Sequence, residues 1–312
     1  MQANRLAERI LDATIVPLVR HLRALQKVVR YISQEASVSL SYTHARALRY
    51  VQLRNAFLSN GERSRYRRDV REQLVQAFER VDRDVRAFTS PSEGLFLAEA
   101  VLSLEPDGDL VECGCYVGAS TAKLSLLAAI TKRRLLVFDS FEGLPAAAPD
   151  EVRDYDVRQS GRPHWQAGLY RGGLDEVRGN IARYGDLGPC HFFPGWFVNT
   201  LTGANLTGPV ALAFTDVDIP SSVRDCLRGL WPRLVDGGVL FSHDVSFPKA
   251  LKVFADAEFW RSELGATPPI LFGAGFGLCD DAPHLGFCIK GREGDPEYLA
   301  SLLLYKGLPG GV

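Results

Sequence analysis

Apolar positions follow two regimes along the chain. Up to Phe88 they recur every three or four residues. One stripe runs through Leu6, Ile10, Leu18, Leu22, Leu25, Val29 and Ile32, and a second through Val70, Leu74, Phe78, Val81, Val85 and Phe88. That period predicts amphipathic helices whose apolar faces need a partner. From Thr89 the pattern changes. Thr89-Ser90-Pro91-Ser92-Glu93 reads as a helix start, with Ser90 as the cap, Pro91 in the first position and Glu93 closing a capping box. This helix is expected to end near Leu104, before Pro106-Asp107-Gly108. Short apolar runs then alternate with helical segments: Asp109–Cys113, Arg134–Phe138, His191–Phe193, Val210–Thr215 and Val239–Ser242. Such alternation predicts a mainly parallel sheet in a doubly wound α/β domain. A last pair, near Ile270–Phe272 and Gly286–Ile289, is expected to close the sheet as a hairpin-like edge. We expect residues 1–88 to form a helical extension (a cap or an oligomerisation element) and residues 89–312 to form the α/β domain.

Composition narrows the classes. Of 312 residues 46% are hydrophobic, enough for one large core with a helical addition. The 36 basic and 37 acidic side chains leave a net charge of -1, so no basic footprint argues for a nucleic-acid partner. The arginines at Arg63, Arg65, Arg67, Arg68 and Arg71 read as a solvated helix face. No apolar run reaches the ~20 residues that span a bilayer, and MQANRLAERILDATIVPLV predicts neither a signal peptide nor a membrane anchor. The six cysteines (Cys113, Cys115, Cys190, Cys226, Cys279, Cys288) lack metal-site spacing and read as reduced thiols of a cytoplasmic protein.

Candidate chemistry gathers where strands end. The first run breaks into Gly114-Cys115-Tyr116-Val117-Gly118-Ala119-Ser120-Thr121, preceded by Glu112. A dinucleotide loop seats a pyrophosphate with G-x-G-x-x-G. Here the pattern is E-x-G-x-x-x-G, which suits a cationic, phosphate-free ligand such as S-adenosylmethionine. The second run ends in Asp139, placed to accept ribose hydroxyls, as acids at the second strand tip do in related sheets. Later runs end in Asp216-Val217-Asp218 and His243-Asp244, and parallel strands bring both ends to one crevice. Carboxylates there would suit Mg²⁺, whereas His243 as a ligand would favour a transition metal. Alternatively, His243 would serve as a general base.

The stretches VECGCYVG and FDSFEGLP (Phe138–Pro145), with Pro194–Leu201, Asp216-Val217-Asp218, Leu230–Leu234 and Gly237-Gly238, resemble the macrocin O-methyltransferase family in order and spacing. The resemblance covers about residues 90–260. It implies a Rossmann-like class I methyltransferase fold and methyl transfer from S-adenosylmethionine to an oxygen of a sugar or other small hydroxylated acceptor of secondary metabolism. By it, Glu112, Gly114, Tyr116, Ser120, Asp139, Ser140, Gly195, Trp196 and Asp216 would bind the cofactor. Asp216, His243 and Asp244 would position the acceptor or hold Mg²⁺ or another divalent metal. The chain departs from the family's Asp-Asp-Tyr at the fifth strand end, having His243-Asp244-Val245, and Pro220-Ser221 replace the usual Tyr and Glu.

The competing readings are N-methylation, a non-catalytic scaffold that keeps the fold, and a nicotinamide oxidoreductase, which the missing G-x-G-x-x-G disfavours. The N-terminal helices would make a homo-oligomer. Pro145–Gly173, with His164 and Trp165, is expected to be a mobile lid. His191, Phe259 and Trp260 read as structural, Gly273–Gly277 as a turn, and His284 carries no signal.

Overall fold

The computed structural model describes residues 45–152 and 165–292. The stripe from Leu6 to Ile32, His164 and the centre of the expected lid lie outside those residues. The compact unit begins at Tyr50, so residues 50–88 belong with the α/β core rather than with a separate extension ending at 88.

Helix α1 spans residues 45–60, α2 Arg68–Asp84 and α3 Pro91–Ser103. The second apolar stripe is the buried face of α2, through Leu74, Phe78 and Val81. Phe88, its last member, is 55% exposed. Arg71 departs from expectation. It has no exposure, and its guanidinium makes a two-pronged contact with Glu99 of α3 at 2.7 and 3.0 Å and donates to the Phe57 and Tyr66 carbonyls. A buried guanidinium needs a full set of acceptors, and this one ties α2 to α3 and to the end of α1. The capping box at Ser90 and Glu93 forms as the sequence predicts.

The sheet follows as β1 Asp109–Cys113, α4 Ala119–Thr131, β2 Leu135–Asp139, α5 Pro149–Val152, α6 Leu174–Tyr184 and β3 Cys190–Pro194. The chain continues through α7 Phe197–Thr200, β4 Val210–Thr215, α8 Pro220–Leu230, β5 Leu234–Ser242, α9 Pro248–Ala255, α10 Ala257–Glu263 and β6 Gly286–Ile289. The strand order is β3-β2-β1-β4-β5-β6. The first five run parallel, and β6 returns antiparallel along β5. β1 and β4 are buried throughout, which is why DLVEC and VALAFT lack the alternation of a one-sided strand.

Successive residues of β1 enter opposite cores. Leu110 joins α2, α3, α4 and α6, whereas Val111 joins α8, α9 and α10. The result is three layers with the sheet in the middle. On the second face Trp231 and Trp260 meet edge to face at 4.7 Å, so Phe259 and Trp260 are packing residues as expected. β5 begins five residues before the apolar run that signals it, because Leu234 pairs with Val210. The expected terminal hairpin is reduced. Phe272 makes a single bridge to Phe287, and the intervening Gly273–Gly277 is a turn.

Candidate active site

Strand register places the chemistry. Cys113 pairs with Phe138 and Thr215, and Thr215 with Ser242. The next residues extend the ladder: Gly114 N–H donates to the Phe138 carbonyl, Asp216 N–H to Cys113 and His243 N–H to Thr215. Gly114, Asp139, Asp216 and His243 therefore stand side by side at the carboxyl ends of four strands. β1, between β2 and β4, is where the connection order reverses, and ligand crevices of doubly wound sheets open there.

A cavity of about 240 Å³ occupies that crevice. It brings together Gly114, Tyr116, Ser120, Asp139, Ser140, Gly195, Trp196, Asp216 and His243. Two expected site residues stand behind its wall. Glu112 has no exposure and lies in β1 beneath the start of α4. Burial pushes its carboxyl up to about 8, and the Ser120 and Thr121 side chains beside it offset only part of that rise. The alternation of β1 turns Glu112 toward the helix layer, away from the crevice. Asp244, also fully buried, spends its carboxylate on backbone: Oδ2 accepts from Val217 N–H at 3.1 Å and Oδ1 from Asp218 N–H at 3.2 Å. It clamps the 216–218 turn and has no face on the cavity.

On the β2 side, Asp139 organises the loops. Its Oδ2 accepts from Cys115 N–H at 2.7 Å and its Oδ1 from Phe141 N–H at 2.6 Å. Gly114 has φ +84°, and a Cβ there would lie 1.9 Å from the Asp216 carbonyl oxygen. The glycine is thus required by the close approach of β1 and β4, a constraint inside the protein rather than the ligand approach its motif predicts. Three non-glycine residues lining the cavity, Tyr116, Tyr170 and Asp218, have φ between 48° and 60°. Strained backbone of this kind persists where a site over-determines it. Phe88, Tyr116 and Tyr170 form a ring cluster at the rim, with centroids 5.1 to 6.4 Å apart.

On the β4–β5 side the charges are dense. The Asp216, Asp218 and Asp244 carboxylates offer oxygens within 4.8 Å of one another. Burial, then the charge of Asp216, pushes Asp218 up to about 7. Asp244 is raised by burial and by both neighbouring acids. His243 is not a member of this cluster. Its Nδ1 faces Asp216 Oδ1 at 3.3 Å and its Nε2 faces Glu93 Oε2 at 3.2 Å. Burial alone would discharge the ring, but the Asp216 and Glu93 carboxylates outweigh it and hold the imidazole well above its ordinary pKa. Both ring nitrogens already face carboxylates inside the protein, an arrangement different from the ligand and base roles read from the sequence, which would each need a nitrogen turned to the crevice. The members of this cluster that face the cavity are Asp216 and Asp218, oxygen donors chemically suited to a hard divalent cation.

Several site residues escaped the sequence. His284 lines the cavity, hydrogen-bonded to Ser246 and stacked on Phe247 at 5.2 Å. Trp165, expected in the lid, also meets Phe247, edge to face at 5.6 Å. Glu93 showed itself only as a cap, because its partner lies 150 residues away.

Residues 96–271 match the macrocin-O-methyltransferase (TylF) family, more than half of the chain. The chain belongs to that family. The chain thus falls in the family that its VECGCYVG and FDSFEGLP stretches resemble, which confirms that resemblance. Over 179 residues it is 35% identical to 8-demethyl-8-(2,3-dimethoxy-alpha-L-rhamnosyl)-tetracenomycin-C 4'-O-methyltransferase of Streptomyces olivaceus. That match covers 56% of this chain and 66% of the relative, just under two thirds of its length. Among solved structures, the O-methyltransferase NovP has a TM-score of 0.51 at 20% identity, covering 79% of this chain and 100% of its own. The calicheamicin methyltransferase CalS11 has a TM-score of 0.47 at 17% identity, covering 71% and 93%. The NovP likeness bears on the fold and agrees with the Rossmann-like α/β architecture.

Proposed function

We propose that this methyltransferase moves the methyl group of S-adenosylmethionine to a hydroxyl of a glycosylated small molecule of secondary metabolism. The observation that carries the reading is the single crevice that joins the Asp139 side of the sheet to the acidic side at Asp216. The sugar acceptor is brought in by the relative's name, which is that of a rhamnoside O-methyltransferase.

The residues fit the cofactor. Asp139 offers a carboxylate to the ribose hydroxyls, Trp196, 36% exposed, offers a face to the adenine, and Asp216 offers negative charge near a sulfonium. Bound there, S-adenosylmethionine would supply an electrophilic methyl group. Asp216, with its side chain 27% exposed, is the group able to take the proton of the acceptor hydroxyl. His243 donates to Asp216 from behind and keeps that oxygen in place, and Phe247, stacked on His284, gives that side of the cavity an apolar face. A divalent metal would be held by Asp216 and Asp218, the two acids of that cluster that line the cavity, and would supply Lewis acidity toward the acceptor oxygen.

Self-association through the apolar stripe Leu6–Ile32 and residence in the cytoplasm complete the proposal. In support of the second, all six cysteines are free thiols; among the described residues no helix is long and apolar enough to cross a membrane. Light scattering of the full chain against a chain lacking residues 1–44 reads the first of these. The test of function is mass spectrometry of a panel of rhamnosylated and other glycosylated aromatic compounds, their aglycones and matched amines, each incubated with enzyme and S-adenosylmethionine. Gain of one methyl on the sugar is expected. Methylation of amines alone, or of no compound despite cofactor binding, would overturn the reading.

A further inference from the structure

Glu93 sits in the first turn of α3, where the sequence explains it fully as the acidic half of a capping box. The structure gives it a second partner. It is 1% exposed, and the oxygen that accepts from Ser90 N–H at 2.6 Å, Oε2, also faces His243 Nε2 at 3.2 Å. The other oxygen, Oε1, is buried with no hydrogen-bond partner. A carboxylate is costly to bury in this way, and a cap alone does not require it, since a surface cap leaves its second oxygen in water. The opposite ring nitrogen of His243 faces Asp216 at 3.3 Å. The three side chains therefore form one line, from a helix terminus outside the sheet, through the end of β5, to the carboxylate on the cavity wall.

We propose that Glu93 is a positioning residue for methyl transfer, acting through His243 on Asp216. An imidazole can rotate about χ2 and exchange which nitrogen meets which neighbour. Acceptors at both nitrogens remove that freedom, so the ring presents Nδ1 to Asp216 and fixes the carboxylate that faces the acceptor. Because α3 carries Glu93 on a rigid, fully packed helix, the alignment is set by the fold rather than by the ligand. The inference rests on the reading above, in which Asp216 receives the hydroxyl proton.

The test uses Glu93→Gln, because glutamine also closes a capping box and keeps the helix start intact. The full-length enzyme is assayed with whichever glycoside of the panel it methylates, as wild type, Glu93→Gln, His243→Ala and the double variant, with melting temperature and S-adenosylhomocysteine affinity measured alongside. Glu93→Gln is expected to melt near wild type, bind S-adenosylhomocysteine within about twofold and lose about tenfold in kcat. In the His243→Ala background the same change is expected to cost nothing further in kcat. A wild-type kcat for Glu93→Gln, or a loss that simply multiplies that of His243→Ala, overturns the proposal and leaves Glu93 a cap. Imidazole ¹⁵N spectra, which need no acceptor, give a second readout: a protected Nε2 proton on His243 in wild type, lost in Glu93→Gln, is expected. Its persistence in the variant contradicts the proposal. If no glycoside is methylated while that signal behaves as expected, the failure belongs to the acceptor assignment rather than to Glu93.

Discussion

The Asp139 carboxylate holds the backbone of Cys115 at 2.7 Å, joining the tip of β2 to the loop that leaves β1. One side chain thus shapes the loop and offers itself to the crevice. Asp139→Ala is expected to weaken S-adenosylhomocysteine binding about ten- to a hundredfold, since both a ligand acceptor and two loop hydrogen bonds go. Isothermal calorimetry reads this, and unchanged affinity would take Asp139 out of the pocket.

His243 joins two carboxylates, and removing it leaves both without a counter-charge. His243→Ala is expected to lower turnover at least about tenfold while changing S-adenosylhomocysteine affinity little, because the ring lies on the β5 side of the crevice. A fully active variant would refute its role. The sign of its pH effect follows from the raised pKa. The stabilisation is complete below the unfolded value of about 6.5 and is lost as pH rises through the folded value.

Glu112 gives a cleaner linkage. Its folded value of about 8 lies above the usual 4.5, so the folded state holds a proton that the unfolded state releases. Stability attributable to this group is complete below 4.5 and falls away as pH rises towards 8. At pH 7 the difference is about 3 kcal/mol. Glu112→Gln is expected to flatten the decline of melting temperature between pH 5 and 8. An unaltered profile would show that Glu112 ionises as an ordinary carboxylate.

Arg71 and Glu99 are predicted to be as important to folding as any apolar contact in the helical layer. Glu99→Ala strands a buried guanidinium and is expected to cost about 3 to 5 kcal/mol in urea unfolding. A loss under 1 kcal/mol would mean that water reaches Arg71.

The sequence exposed those parts of the molecule whose cause is local. β1, β4 and β6 begin and end where apolar runs do, the Ser90–Glu93 box is a four-residue code, and strand ends in a parallel sheet converge by topology, which brought Gly114, Asp139, Asp216 and His243 to one place. It failed where cause lies between distant segments. The arginine run around Arg71 reads as solvated until pairing across helices is known, here of Arg71 with Glu99 of α3. His243 meets Glu93 only because α3 packs against the end of β5, and His284 reaches the cavity because the turn before β6 folds back over Phe247. Glu112 was misplaced because a motif letter does not say which face of a strand it occupies. Asp244 was misplaced because two backbone amides had already claimed its oxygens.

The most direct measurement is calorimetric titration of the purified full-length chain with S-adenosylhomocysteine, with NAD⁺ as the control. The account predicts micromolar binding at one site per chain, lost or strongly weakened in Asp139→Ala, and no heat from NAD⁺. Binding of NAD⁺, or silence towards S-adenosylhomocysteine, would contradict it.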